Sequence, residues 1–169
     1  MKKVRFISLA LVLALALMGA AFAAWTETIN VNGSVATGNY DVTFSSSSTN
    51  DEGTTVDPGL DKNVGQSVAT LGADSKSITV TASNAYPGYN AIVTYKIKNT
   101  GTIPLKVNNA VITNTNAQIT VTNEVDPAGQ IIDPGEEFEA QVKHVVNDSA
   151  AETSTYTYSV AVNTVQWNQ

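Results

Sequence analysis

The sequence predicts an all-β chain folded as an antiparallel β-sandwich, and three observations carry that expectation. Past the N-terminal segment Thr, Val, Asn and Ser dominate, and apolar residues recur at a period of two instead of about 3.6, the mark of side chains alternating across strands. Short runs of this kind follow one another at regular spacing, separated by turns that hold Gly, Pro or Asn. There is no cysteine, so stability must come from burial and backbone pairing. A hydrophobic content of 43% is enough for a packed core.

The chain opens on a basic group, Lys2, Lys3 and Arg5, followed by an apolar run from Phe6 to Met18 and the small-residue stretch Ala20-Ala21-Phe22-Ala23-Ala24. This is the layout of a secretory signal peptide, with cleavage expected after Ala23 and Ala24 as the close alternative. The apolar run is shorter than the ~20 residues that span a bilayer, and no later segment is more apolar, so no membrane span is expected in the mature protein. The predicted organisation is a signal peptide over 1–23, an N-terminal strand and linker over 24–37, and one sandwich domain over 38–169. Three of the 9 Lys and Arg leave with the signal while all 15 Asp and Glu stay. The mature chain is therefore strongly acidic, which argues against nucleic acid as a partner.

From Trp25 to Val35 the odd positions hold Trp25, Ile29, Val31 and Val35, while every even position is polar. This predicts a strand with one apolar face. It reads either as the first strand of the chain's own sandwich or as a strand that leaves its subunit to complete a neighbour's sheet. Gly38 permits a bend, after which Tyr40, Val42 and Phe44 predict a second strand in the opposite phase. Ser45 to Asp61 is polar and rich in turn formers, and predicts a long surface loop.

Further strands are predicted at Val68 to Leu71, Ile78 to Ala82, Ala91 to Lys98, Leu105 to Ile112, Ile119 to Thr122, Phe138 to Val146 and Tyr156 to Trp167. Turns fall at Gly72-Ala73-Asp74, Tyr86-Pro87-Gly88, Asn99-Thr100-Gly101 and Asp133-Pro134-Gly135. In the last strand Tyr156, Tyr158, Val160 and Val162 share a face, and a slip at Asn163-Thr164, which lets Val165 and Trp167 continue it, predicts a bulge. Such spacing reads as a sandwich or jelly roll.

Catalytic equipment is sparse. Zinc hydrolases need about three protein ligands and a Glu to work the water, yet the chain has one His. His144 sits in a predicted strand between Val142 and Val146 and reads as a strand residue. No Gly-x-Ser-x-Gly elbow and no Cys nucleophile is present. No catalytic residue, cofactor site or metal site is therefore assigned. Asp51, Glu52, Asp57 and Asp61 share one loop, and Asp126, Asp133, Glu136 and Glu137 another; both read as solvated acidic loops, with hard-cation binding as the sharper reading. Asn32-Gly33-Ser34 and Asn147-Asp148-Ser149 match the N-glycosylation pattern.

The junction Ala20-Ala21-Phe22-Ala23-Ala24-Trp25, the Tyr86-Pro87-Gly88 and Asn99-Thr100-Gly101 turns, the Pro134-Gly135-Glu136 turn and the closing Gln166-Trp167-Asn168 resemble the TasA and camelysin family. That family includes bacterial biofilm-matrix fibre proteins, and the archaeal bundling pilins are similar to it. The resemblance implies an exported jelly-roll sandwich whose subunits join by donor-strand complementation, with the donor on Trp25 to Val35 and its contacts carried by Trp25, Ile29, Val31 and Val35. Camelysins have also been labelled metallopeptidases, and the single His with no His-Glu-x-x-His motif departs from that activity. The expected function is thus a structural subunit of an extracellular filament at the cell surface or in a biofilm matrix. Its partner would be further copies of itself, and lateral bundling is compatible with that reading. The alternative is a monomeric secreted or cell-surface Ig-like binding module that presents its loops to a ligand.

Overall fold

The computed structural model describes residues 2–22, 27–151 and 153–169. The chain divides into two compact units, Met1–Ala36 and Thr37–Gln169. In the first, a helix α1 covers Lys2–Phe22, and residues 27–36 are exposed and belong to no helix or strand. Among the described residues no helix is long and apolar enough to cross a membrane.

The second unit is an all-β sandwich. Its strands are β1 (Val42–Thr49), β2 (Gln66–Leu71), β3 (Ile78–Ser83), β4 (Asn90–Asn99), β5 (Leu105–Asn114), β6 (Ile119–Val125), β7 (Ile131–Ile132), β8 (Glu137–Val146) and β9 (Tyr156–Gln166). One sheet has the order β1-β4-β8-β6 and the other β2-β3-β9-β5-β7, and every pairing is antiparallel. Only β2 and β3 are consecutive strands paired with each other; every other connection passes from one sheet to the other.

The period-two pattern explains the core directly. On β4, alternate residues Ala91, Val93, Tyr95 and Ile97 are buried, and Ala140, Val142 and Val146 answer them from β8. Ile78, Val80, Tyr156, Tyr158 and Val160 supply the other sheet's inner face. Burying a side chain of Val or Ile size contributes roughly 1.5–3 kcal/mol, so two such faces hold the sheets together without a disulfide. Phe44 and Tyr95 meet edge to face with ring centroids 5.7 Å apart, a geometry that adds to the burial.

The structure corrects several expectations. Ser45 to Thr49 is strand, not loop, because β4 supplies backbone partners as far as Thr49, with a bulge between Phe44 and Ser46. Tyr40 lies outside β1. The irregularity expected near Asn163-Thr164 occurs there, but the extra residue is on the partner strand: Val107 faces Thr164 and Asn109 faces Asn163, leaving Asn108 as the bulge. Trp167 lies past the end of β9 and is 53% exposed. The expected first strand does not form within this chain over its described part, residues 27–35.

Candidate strand-acceptor seam

The sandwich has one side where β1, at the edge of its sheet, faces the β2-β3 hairpin of the other. The upper half of this seam is closed. Ser47 Oγ donates to the Ala69 carbonyl at 3.2 Å and Thr49 Oγ1 to the Ser67 carbonyl at 2.7 Å, so short hydroxyl side chains on β1 cap the backbone of β2. That is what the serine run accomplishes once it is strand.

The lower half is open. β3 begins at Ile78, opposite Val160, while β9 continues to Gln166 with β5 as its partner. Among the described residues, Ala161–Gln166 is therefore strand-paired on one side only, although β9 is the central strand of its sheet. A cleft of about 140 Å³ lies beside it, lined by Val42, Phe44, Ile97 and Val162 together with Thr43, Ser75 and Lys76. Val42 and Val162 are only half-buried.

Two polar bridges cross this opening. The Tyr40 hydroxyl lies 2.5 Å from Thr164 Oγ1 on β9. From the β2-β3 turn, the Lys76 ammonium donates to Asp41 Oδ1 at 2.6 Å and to the Val42 carbonyl. This bond to Lys76, and then one from Thr100, holds the Asp41 carboxyl below the usual carboxylate range. The segment leading into β1 is fixed by the Asn99-Thr100-Gly101 turn, whose Thr100 and Gly101 amides both donate to the Asp41 carbonyl at 3.1 Å. A Cβ at Gly101 would lie 2.5 Å from the Asn39 carbonyl oxygen, so this position admits glycine alone.

A second open edge lies on β5 beyond its short pairing with β7. It carries the Asn108 bulge, polar Asn109, Thr113 and Asn114, and an Asn114 amide turned onto the Ile119 carbonyl at 2.9 Å. Bulges and polar side chains are how sheet edges avoid further pairing.

Of the donor residues expected from sequence, Trp25 lies outside the described residues. Ile29, Val31 and Val35 are 85%, 91% and 94% exposed. The sandwich side of the seam was not foreseen, because a half-strand open on one side depends on where β3 stops relative to β9. The single-strand alternation of β9 carries no such signal.

His144 is fully buried on β8, with Nδ1 2.9 Å from the Tyr158 hydroxyl and Nε2 3.4 Å from Ser67 Oγ. Burial pulls its pKa down to about 4. Nearby, the buried Tyr89 hydroxyl donates to the buried carboxylate of Asp51. Asp57 accepts from the amides of Val64 and Gly65 at 2.8 and 3.0 Å and from the Tyr86 hydroxyl at 2.7 Å. Burial raises the Asp57 pKa, but these donors outweigh it and hold the carboxyl below its ordinary value. The first acidic loop is thus partly internal: Asp51 and Asp57 anchor it, and Glu52 and Asp61 are exposed. A Cβ at Gly65 would meet the Tyr89 ring at 2.3 Å, which shows how closely the loop is drawn in. The second expected loop is divided: Asp126 precedes β7, Asp133 and Glu136 lie between β7 and β8, and Glu137 begins β8, all four exposed. Among the described residues no group of three or more acidic or His side chains is placed to hold a metal ion. Asn32 is exposed, whereas the Asn147 amide is engaged with the Ala117 carbonyl and Thr120 Oγ1.

Comparison with protein-family models, with curated proteins and with solved structures returns no match for this chain.

Proposed function

We propose that the chain is a structural subunit of an extracellular filament, a pilus or biofilm-matrix fibre, that polymerises by donor-strand complementation, with Trp25 to Val35 of one copy docking into the open half-seam of the next. The observation that carries this reading is the coexistence of a central strand whose Ala161–Gln166 half is strand-paired on one side only among the described residues with an alternating segment whose described residues, 27–35, are exposed and in no strand. Each supplies what the other lacks. The acceptor offers unpaired backbone and the apolar side chains Val42, Phe44 and Val162; the donor offers Ile29, Val31 and Val35. Burying each of these contributes roughly 1.5–3 kcal/mol, and backbone pairing adds about 1 kcal/mol per hydrogen bond. A joint of that size opens rarely.

The resemblance to the TasA and camelysin family supports the same reading, with the cell surface or matrix as the location that goes with it. Exposed aromatic side chains on the loops would favour a binding module. Of the loop tyrosines singled out in the sequence, Tyr89 is buried and Tyr86 is tied to Asp57, so these two serve the fold, while Tyr40 and Trp167 are exposed. Negative-stain microscopy of the purified mature protein tests the proposal: long unbranched threads are expected, and a monodisperse monomer at all concentrations would overturn it.

A further inference from the structure

On its β1 side the open half-seam is bordered by the β2-β3 turn, whose Ser75 and Lys76 line the cleft. On the free edge of β1, residues 42 and 44 point their backbone groups away from β4, as alternate residues of a strand must. The turn engages one group of each: the Phe44 amide donates to the Ser75 carbonyl at 2.8 Å, and the Val42 carbonyl accepts from the Lys76 ammonium. An incoming strand would fill the same two positions. One partner in this arrangement is a carbonyl on a turn, the other an exposed side chain, with Lys76 and Asp41 at 45% and 43% side-chain exposure. The turn is also held in an uncommon conformation, since Ser75 has φ +56°, in the left-handed region that non-glycine residues rarely occupy. Inside the turn, the Ser75 amide donates to the Gly72 carbonyl and the Lys76 amide to Asp74 Oδ1, both at 2.9 Å. It is therefore a self-contained unit, tied to β1 by the Ser75 and Lys76 contacts.

We propose that this turn is a displaceable clasp: Ser75 and Lys76 stand in for the donor strand on the free edge of β1, keep the isolated subunit from pairing at random, and release when the N-terminal segment of a second copy arrives. Lysine on an open sheet edge is a recognised guard against unwanted pairing. Here it guards the half of the seam that the serine and threonine hydroxyls leave uncovered. The clasp rests on the strand-exchange reading above and specifies how its acceptor is regulated.

The test compares filament elongation, followed by light scattering at fixed subunit concentration, for the mature wild type, K76M, D41N and the double variant. Breaking an exposed ion pair shifts an equilibrium by roughly two- to fivefold, so K76M should elongate about that much faster. D41N should act in the same direction, and the double variant should be no faster than K76M, because both residues work through one contact. Hydrogen exchange at the Phe44 amide, measured in chains kept monomeric by Ile29→Asp and Val31→Asp, should quicken in K76M, while the unfolding constant rises by no more than the same roughly two- to fivefold factor. If the wild type forms filaments but K76M elongates at the same rate or more slowly, the clasp is overturned and strand exchange stands. If the wild type forms no filaments, strand exchange itself fails and the clasp falls with it.

Discussion

His144 Nδ1 lies 2.9 Å from the Tyr158 hydroxyl in the core, between β8 and β9. The imidazole is fully buried and its pKa is pulled down to about 4 by the loss of water around it. A histidine whose folded pKa lies below its unfolded value of about 6.5 binds its proton more readily in the unfolded chain. Stability is therefore complete above that unfolded pKa and falls as pH drops from about 6.5 towards 4, by roughly 3 kcal/mol across the window. The lowered carboxyls Asp41 and Asp57 add further loss only at more acid pH. Urea denaturation at pH 7 and at pH 4.5 should show this slope, and H144Q should flatten it between those two values.

Asp57 gathers three donors, the Val64 and Gly65 amides and the Tyr86 hydroxyl. D57A leaves them without their acceptor, and a buried donor left alone costs roughly 1–3 kcal/mol. A drop of several degrees in Tm is expected, with faster proteolytic nicking between Glu52 and Val64. Y86F removes one of the three bonds and should cost less.

Zinc should not bind stoichiometrically to the purified mature protein. Both nitrogens of His144 face core hydroxyls, and among the described residues no metal-capable cluster exists. Elemental analysis after dialysis checks this; a bound zinc whose removal by chelator abolishes proteolysis would contradict it.

Peptide mass analysis of secreted material should place the mature N-terminus at Ala24 or Trp25, since the small side chains Ala21 and Ala23 end the apolar run. An intact Met1 on extracellular protein would contradict the targeting argument.

The sandwich was legible in the sequence because period-two alternation reports directly on which side of a strand is buried, and β4, β8 and the first half of β9 have it. The strand ends and the internal role of Asp51 and Asp57 were not legible. A serine run looks like loop until β4 supplies its backbone partners, and an aspartate looks solvated until a tyrosine distant in sequence reaches it. The two-residue β7 went unseen for the same reason: Ile131 and Ile132 are too few to show a period, and only Leu105 and Lys106 opposite them make the pair a strand. The proposed donor could be read as alternation from Trp25 to Val35. The acceptor half depends on a difference in length between two strands far apart in the chain.

The most direct measurement replaces Ile29 and Val31 by Asp in the mature protein and examines the product by circular dichroism and electron microscopy. Both side chains are exposed in the single chain, so the sandwich should keep its β spectrum and its Tm. Filaments should be absent, because two charges would have to enter the apolar seam of the next subunit, where unpaired burial is costly. Abundant filaments of normal appearance from this variant would contradict donor-strand assembly, and an unfolded monomer would show that the segment belongs to its own sandwich.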